Sequence, residues 1–220
     1  MQLLYQKNPE NAPAQKILAA AAYTGVELTP VPCDENKTSA EGAERALGDP
    51  CGEYPVLEVG DGADASVFGA NSILRYVARA GVEDVLHPYG RTPFEASQVD
   101  MWLDFASTEI DAANMPYIDM SYYKTANDVP ADALDAVRAV LAGLEEVLSV
   151  RTFLVGERMT IADIAVAFSI QWVYRCNRKH GDTLAKEYRA VYRHYNTVMR
   201  SPKIQMMMRK EGAVLGPLRA

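Results

Sequence analysis

The period of the hydrophobic pattern changes once along the chain, near residue 90, and this change restricts the fold more than any other feature. Before it, short apolar runs of strand type alternate with helical stretches in the order β-α-β-α-β-β-α. From Pro93 onward the strand signals disappear, and apolar residues recur at helical spacing. One such series is Val99, Trp102, Leu103, Ala106 and Ile110, and another is Leu134, Val137, Leu141, Leu144 and Leu148. The pattern predicts an α/β first half and an all-α second half of four or five long helices.

The first half has the order of elements expected of a small mixed sheet with helices on both faces. The predicted strands are 3–5, 27–31, 55–59 and 66–68, and the predicted helices are 13–23, an irregular one ending near residue 49, and 71–80. Prolines near the second strand make it an edge strand, and the last two strands form a hairpin. This order predicts a thioredoxin-like domain over residues 1–81, a linker over 82–92 and an all-helical domain over 93–220.

The composition is that of an ordinary globular protein, with 49% hydrophobic and 23% charged residues. The 22 basic residues are outnumbered by 29 acidic ones, and a net charge of -7 disfavours direct, sequence-specific nucleic-acid binding. No apolar run approaches the roughly 18 residues of a membrane helix, and no signal-peptide pattern opens the chain. The cysteines, Cys33, Cys51 and Cys176, have no C-x-x-C spacing, which favours free thiols and a cytoplasmic location.

The residues that usually bind metals and nucleotides are not arranged for either task. His87, His180 and His194 are scattered, with no acid or cysteine at metal-ligand spacing, so no metal site is predicted. There is no glycine-rich phosphate loop of the Walker type, and the chain is therefore not expected to bind or hydrolyse GTP.

Thr160 and Asp163 mark the start of a helix. Thr160 suits the N-cap position, and Asp163, three residues later, can complete a capping box. We interpret this pair as structural, without a chemical role.

Charge is distributed unevenly in the second half. Residues 95–163 hold 13 acids and 4 bases, whereas residues 174–210 hold 10 bases and 2 acids. One interpretation is a solvated helix face. The other is a basic face that meets an acidic partner, which would raise the association rate and fix the orientation of the complex.

A thioredoxin-like half joined by a short linker to an all-helical half resembles the glutathione S-transferase fold. Within it, residues 151–158 (RTFLVGER), 160–164 (TIADI) and 99–106 (VDMWLDFA) look very like the transferase-like N-terminal domain of elongation factor 1 gamma. Leu4-Tyr5, residues 9–11 and Lys16 are similar to the same family.

This resemblance implies a role in protein synthesis. In the family, gamma is a subunit of the elongation factor 1 complex, and its transferase-like domain is a docking platform for the nucleotide-exchange subunit, alongside the other subunits. The resemblance also implies a longer protein with a second domain after a linker. Transferase folds commonly pair, so a homodimer is one expected arrangement.

The resemblance also implies a thiol-peptide pocket. Its matching positions are Asn11, Glu53, Tyr54, Pro55, Gly69, Ala70 and Asn71. Tyr54-Pro55 matches the cis proline that presents backbone groups to the thiol peptide, although cis X-Pro bonds also serve tight turns. Gly69 and Ala70 stand where transferases carry an acid or amide and a hydroxyl that hold the γ-glutamyl end. Losing two such hydrogen bonds, at ~1.5–3 kcal/mol each, would weaken glutathione binding roughly 100-fold to 10,000-fold.

Two interpretations of this pocket stay open. Glu53 stands where transferases often meet the glycine carboxylate of glutathione with a cation or amide, and like charges repel there. In trypanosomatid parasites that carboxylate is amidated by a polyamine, and an acid would suit the cationic linker. Asn11 is expected to cap the first helix, and no nearby residue is a strong candidate for thiol activation. The chain is thus either a scaffold with a vestigial pocket, without cofactor or catalysis, or a glutathione or trypanothione S-transferase.

Overall fold

The computed structural model describes residues 1–6, 12–33, 53–60, 65–81, 86–123 and 129–211. Within these ranges the strands are β1 (Gln2–Gln6), β2 (Thr29–Cys33), β3 (Val56–Glu58) and β4 (Ser66–Phe68). They form one sheet in the order β2-β1-β3-β4, with β2 parallel to β1 and the other pairs antiparallel. The predicted edge strand and hairpin are confirmed, whereas the irregular helix predicted to end near residue 49 lies outside the described residues.

The two faces of β1 pack against different partners because strand side chains alternate in direction. Tyr5 is fully buried and clusters with Ala14 of α1 (Ala12–Thr24). On the other face, Leu4 clusters with Val56, and Tyr54 packs against this pair. Helix α2 (Ala70–Ala80) follows β4 directly and packs on α1.

The helices of the second half are α3 (Pro93–Phe105), α4 (Asp111–Ile118), α5 (Ala131–Ser149), α6 (Ile161–Arg175), α7 (Arg178–Glu187), α8 (Arg189–Met199) and α9 (Pro202–Glu211). Two π-helical turns, Ala106–Ile110 and Asp119–Tyr123, lie on either side of α4. Nearly every residue of α6 is buried, which makes it the central helix of its unit.

The described second half holds more and shorter helices than the four or five long ones predicted. Local caps produce the additional breaks. The Asn177 side chain accepts a hydrogen bond from the His180 backbone N at 3.2 Å and starts α7 one residue after the C-cap of α6. Pro202, which has no N–H to donate to a preceding turn, opens α9.

The chain divides into two compact units, Met1–Pro88 with Pro202–Ala220, and Tyr89–Ser201. Helix α9 packs against α1, and Lys203 Nζ donates to the Tyr23 carbonyl oxygen at 3.1 Å. This division differs from the predicted boundaries, 1–81, 82–92 and 93–220, at the last helix. Periodicity indicates that a helix forms but carries no information about the unit on which it packs.

None of the described helices has both the length and the apolar character required to cross a membrane.

Candidate functional site

The sheet register brings three separate segments together at one end of the sheet. Val56 pairs with Leu4 on one side and with Phe68 on the other, both in antiparallel alignment. Continuing that register by one residue places Pro55 beside Tyr5 and opposite Gly69. The end of β1, the start of β3 and the end of β4 therefore meet, and this meeting point is the candidate thiol-peptide cleft.

The Tyr54-Pro55 peptide bond is cis. Pro55 is buried, whereas the Tyr54 side chain is half-buried and packs against the Leu4 and Val56 cluster. The cis bond expected for Tyr54-Pro55 is therefore present at the residue before β3.

Gly69 links β4 to α2 with φ of 81° and ψ of 127°. Residues with a side chain rarely adopt a positive φ of this kind, and glycine does so without steric cost. The backbone at this position therefore favours glycine over the acid or amide that transferases place there. Ala70 likewise offers no hydroxyl, and Ser72, two residues later, is exposed.

The start of α2 is held by backbone groups. Ile73 N donates to the Gly69 carbonyl at 3.0 Å, and no side chain caps the helix. Asn71 is half-buried in the first turn. The described polar groups available to a ligand at Gly69 and Ala70 are accordingly main-chain groups.

Glu53 and Asn11 are the remaining predicted pocket residues. Glu53 is exposed, two residues before the cis proline. Asn11, predicted to belong to the pocket and to cap the first helix, lies outside the described residues, as does Cys51. Tyr5 is fully buried against Ala14, so it does not present a hydroxyl to a bound thiol.

The structure shows the capping box at Thr160 and Asp163. Asp163 Oδ2 accepts from Thr160 N at 2.8 Å and from Thr160 Oγ1 at 3.0 Å. Asp163 Oδ1 accepts from Leu154 N at 2.8 Å, and His194 Nε2 donates to the same oxygen at 2.9 Å. Asp163 and His194 are both 0% exposed. The carboxylate therefore joins the start of α6, the loop before it and α8.

The sequence analysis did not connect His194 with Asp163, which the structure joins by a hydrogen bond. Asp163 is 31 residues away and on another helix, so no local spacing connects them. The available signal was the position of His194 on the apolar face of α8, between the buried Val191 and Val198. A histidine among buried aliphatic residues requires a hydrogen-bonding partner.

Cys176 lies near Tyr117 at the end of α6. Burial raises the pKa of the Cys176 thiol to about 11 and also raises the pKa of the Tyr117 hydroxyl. A thiol that stays protonated at neutral pH is a poor nucleophile. Cys176 is therefore unsuited to thiol chemistry at physiological pH.

A family model described as glutathione S-transferase, C-terminal domain, matches residues 105–202. A solved structure of glutathione S-transferase I bound with lactoylglutathione has a TM-score of 0.76 at 21% identity, and the match covers 93% of this chain and 97% of that one. The chain has the glutathione S-transferase fold.

Sequence comparison narrows the relationship. Elongation factor 1-gamma of Trypanosoma cruzi is 48% identical over 209 residues, which cover 95% of this chain and 49% of that protein. Elongation factor 1-gamma of Prunus avium is 30% identical over 216 residues, 94% of this chain and 48% of that protein. The chain spans about half the length of these curated relatives. By sequence it is a relative of the elongation factor 1-gamma proteins, and the resemblance found in its motifs is confirmed.

Proposed function

We propose that this chain is a non-catalytic docking domain of the translation elongation factor 1 complex and acts in the cytoplasm. The observation that carries the proposal is the 48% identity to an elongation factor 1-gamma across 95% of the chain. Its partners in this proposal are the nucleotide-exchange subunit and the other subunits of that complex. The chain itself positions them without a cofactor.

The candidate cleft supports a scaffold rather than an enzyme. Gly69 and Ala70 supply no polar side chain for the charged end of a thiol peptide, and the positive φ of Gly69 suits glycine. Tyr5 near the end of β1 is fully buried, so its hydroxyl is not available at the cleft to activate a thiol. Binding without these groups would be weak, since hydrogen bonds to charged groups contribute ~1.5–3 kcal/mol each.

Charge supports the docking role. Residues 174–210 carry 10 bases against 2 acids, and electrostatic complementarity mainly accelerates and orients association. Because exposed charges are screened by salt, the complex should weaken as ionic strength rises.

Titration of the exchange subunit into this chain tests the proposal. We expect saturable binding that weakens between 50 and 300 mM NaCl. Charge reversal at either exposed residue, Arg178→Glu or Lys179→Glu, should lower the affinity, whereas Arg91→Glu, the same charge change outside residues 174–210, should not. Absence of binding at low salt would refute the docking role, and an affinity indifferent to salt would remove residues 174–210 from the interface.

A thiol S-transferase is the second candidate function, and the meeting of the β1, β3 and β4 strand ends beside Pro55 and Gly69 favours it. Calorimetric titration of glutathione and trypanothione separates the two functions. The scaffold proposal predicts no binding below millimolar concentration. Micromolar binding of either thiol that is lost in Pro55→Ala, with the fold retained by circular dichroism, would favour the enzyme. In that case Glu53→Gln should weaken trypanothione and strengthen glutathione.

A homodimer is a further part of this proposal, since proteins of this fold commonly pair. Light scattering on the purified chain measures it, and a dimer gives twice the 24.2 kDa chain mass.

A further inference from the structure

A groove separate from the candidate cleft lies within the first unit, between α1 and α9. It has a volume of about 560 Å³, which is in the range of clefts that bind ligands or peptide side chains. The turn from Gly25 to Thr29 closes one end of its lining. All of its described lining residues belong to the same compact unit.

The groove is apolar in its floor and along one rim. The apolar side chains that line it are Leu18, Ala21, Ala22, Val26, Leu28, Met206 and Met207. Leu18, Val26 and Met207 are almost fully buried, whereas Met206 is 68% exposed. An exposed methionine beside buried aliphatic groups suits a surface that accommodates an apolar side chain, because the thioether chain is flexible and polarizable.

Basic side chains flank this apolar strip along α9. Lys203 and Lys210 both line the groove and are seven residues apart, ~10.5 Å along the helix axis. Lys203 is held in place by its hydrogen bond to the Tyr23 carbonyl oxygen, and Lys210 is exposed. Glu27 is the acid among the described lining residues. The rim along α9 therefore complements a partner with carboxylates about two helical turns apart.

The neighbouring strand does not favour an added β-strand. β2 is an edge strand, and it contains Pro30 and Pro32. Proline has no N–H to donate, so two of the five residues in β2 cannot contribute a donor to an incoming strand. A helix, which satisfies its own backbone hydrogen bonds, fits beside α1 and α9 better.

We propose that the groove between α1 and α9 receives an amphipathic helix of the exchange subunit, with apolar side chains seated by Met206 and Met207 and carboxylates beside Lys203 and Lys210. This inference rests on the proposed docking function and assigns it a surface. The helix that fits this groove has apolar residues at i, i+3 or i+4 spacing and acidic residues at i and i+7.

Two matched pairs of variants on α9 test the groove. Met206→Glu adds one negative charge inside it, and Gln205→Glu adds the same charge at an exposed neighbour that does not line it. Lys210→Glu and Arg209→Glu form the second pair, in which Lys210 lines the groove and the exposed Arg209 does not. All four positions are exposed, so the melting temperature should be retained.

Titration of the purified exchange subunit into each variant measures how the substitution changes the binding affinity. We expect Met206→Glu and Lys210→Glu to weaken binding at least tenfold at 150 mM salt and Gln205→Glu to stay within about threefold. Arg209→Glu removes a charge of the basic stretch 174–210 and should weaken binding, but clearly less than Lys210→Glu. If the unmodified chain and all four variants bind the exchange subunit equally well, the proposal for the groove is overturned and the docking function still stands. If the unmodified chain does not bind, the docking function fails first. Self-association that is lost in Met206→Glu alone would assign the groove to a second copy and overturn the proposal.

Zero-length crosslinking with a carbodiimide tests whether carboxylates of the partner lie beside the lysines of the groove. The reagent joins a lysine amine to a carboxylate as an amide with loss of water. We expect Lys210 to couple to an acid in a segment of the exchange subunit that has apolar residues at helical spacing. Coupling of the subunit only to lysines outside the groove would contradict the proposal.

Discussion

Glu145 shows how a single residue can complete a helix that lies far away in sequence. Its carboxylate accepts from Ala190 N, at 3.0 Å to Oε1 and 2.9 Å to Oε2, and from Val191 N at 3.0 Å. These donors belong to the first turn of α8, which has no side-chain cap of its own. Since the first N–H groups of a helix lack intrahelical partners and carry positive partial charge, a carboxylate there stabilises the helix.

Glu145→Ala should therefore lower the free energy of unfolding by about 1–2 kcal/mol, the effect of losing a charged helix cap. Urea denaturation followed by circular dichroism measures the change. Glu146→Ala, at the exposed next residue, is the control and should stay within about 0.5 kcal/mol of the parent. Equal losses in the two variants would contradict the capping role.

Burial of Cys176 makes stability depend on pH in the alkaline range. Its pKa rises from 9.0 to about 11 on burial, so between these values the folded chain holds a proton that the unfolded chain has released. Stability from this group is complete below pH 9 and is lost as pH rises toward 11. Burial also raises the pKa of Tyr117 and Tyr174, which acts in the same direction.

We therefore expect the urea midpoint to fall between pH 8 and pH 10.5. The fall should be smaller in Cys176→Ala, which lacks the titrating thiol. A Cys176→Ala variant whose midpoint falls as steeply as that of the parent would show that this thiol is not responsible.

At the scale of elements, the start of α6 depends on the network around Asp163. The buried carboxylate serves the helix N-terminus, the Leu154 backbone and His194 together. Removing it leaves several buried donors without an acceptor, whereas Thr160→Ala removes the N-cap hydroxyl and one methyl group and leaves the carboxylate in place.

Asp163→Ala should thus cost about 3 kcal/mol or more, and Thr160→Ala about 1 kcal/mol. The control is Asp132→Ala, in the exposed first turn of α5, where only a helix-dipole effect below about 1 kcal/mol is expected. Chemical denaturation compares the three variants. An Asp163→Ala loss no larger than that of Thr160→Ala would refute the network.

The packing of α7 on α6 requires a glycine at position 181. A Cβ added to Gly181 would lie 2.5 Å from the Tyr174 carbonyl oxygen, whereas one added to Gly143 of α5 would meet no atom within 4 Å. We expect Gly181→Ala to destabilise the protein by about 2 kcal/mol and Gly143→Ala to stabilise it by about 0.5–1 kcal/mol. Thermal denaturation measures both, and the same sign in both variants would contradict this account.

At the scale of the whole molecule, the division into two units has a measurable consequence. Ile204 of α9 and Leu144 of α5 are both fully buried, each in a different unit. Truncating a buried aliphatic side chain costs about 2–5 kcal/mol, and the loss is felt first where its unit opens.

Ile204→Ala should accelerate amide hydrogen exchange in α1 and α9 more than in α5 and α6. Leu144→Ala, the matched control in the other unit, should do the reverse. Exchange followed by mass spectrometry compares the two patterns. Identical patterns in both variants would mean that the units open together and would contradict an independent response.

Much of the fold was predictable because its signals are local. The short apolar run of β1, the prolines of β2 and the turn between β3 and β4 each act within a few residues, and they predicted the sheet and its hairpin. The motif at Thr160 and Asp163 acts across three residues. The pocket positions Pro55, Gly69 and Ala70 were found through a family resemblance carried by contiguous segments.

The sequence by itself determined the fold class, the relationship to elongation factor 1-gamma and the absence of ligand-binding side chains at Gly69 and Ala70. Each of these depends on residues that are close together in the sequence. Only the tertiary structure decided that Asp163 meets His194, that Glu145 caps α8 and that α9 joins the first unit to form a groove. These contacts join residues 31 to 180 positions apart. Their geometry depends on how whole helices pack, which no local pattern of hydrophobicity or charge encodes.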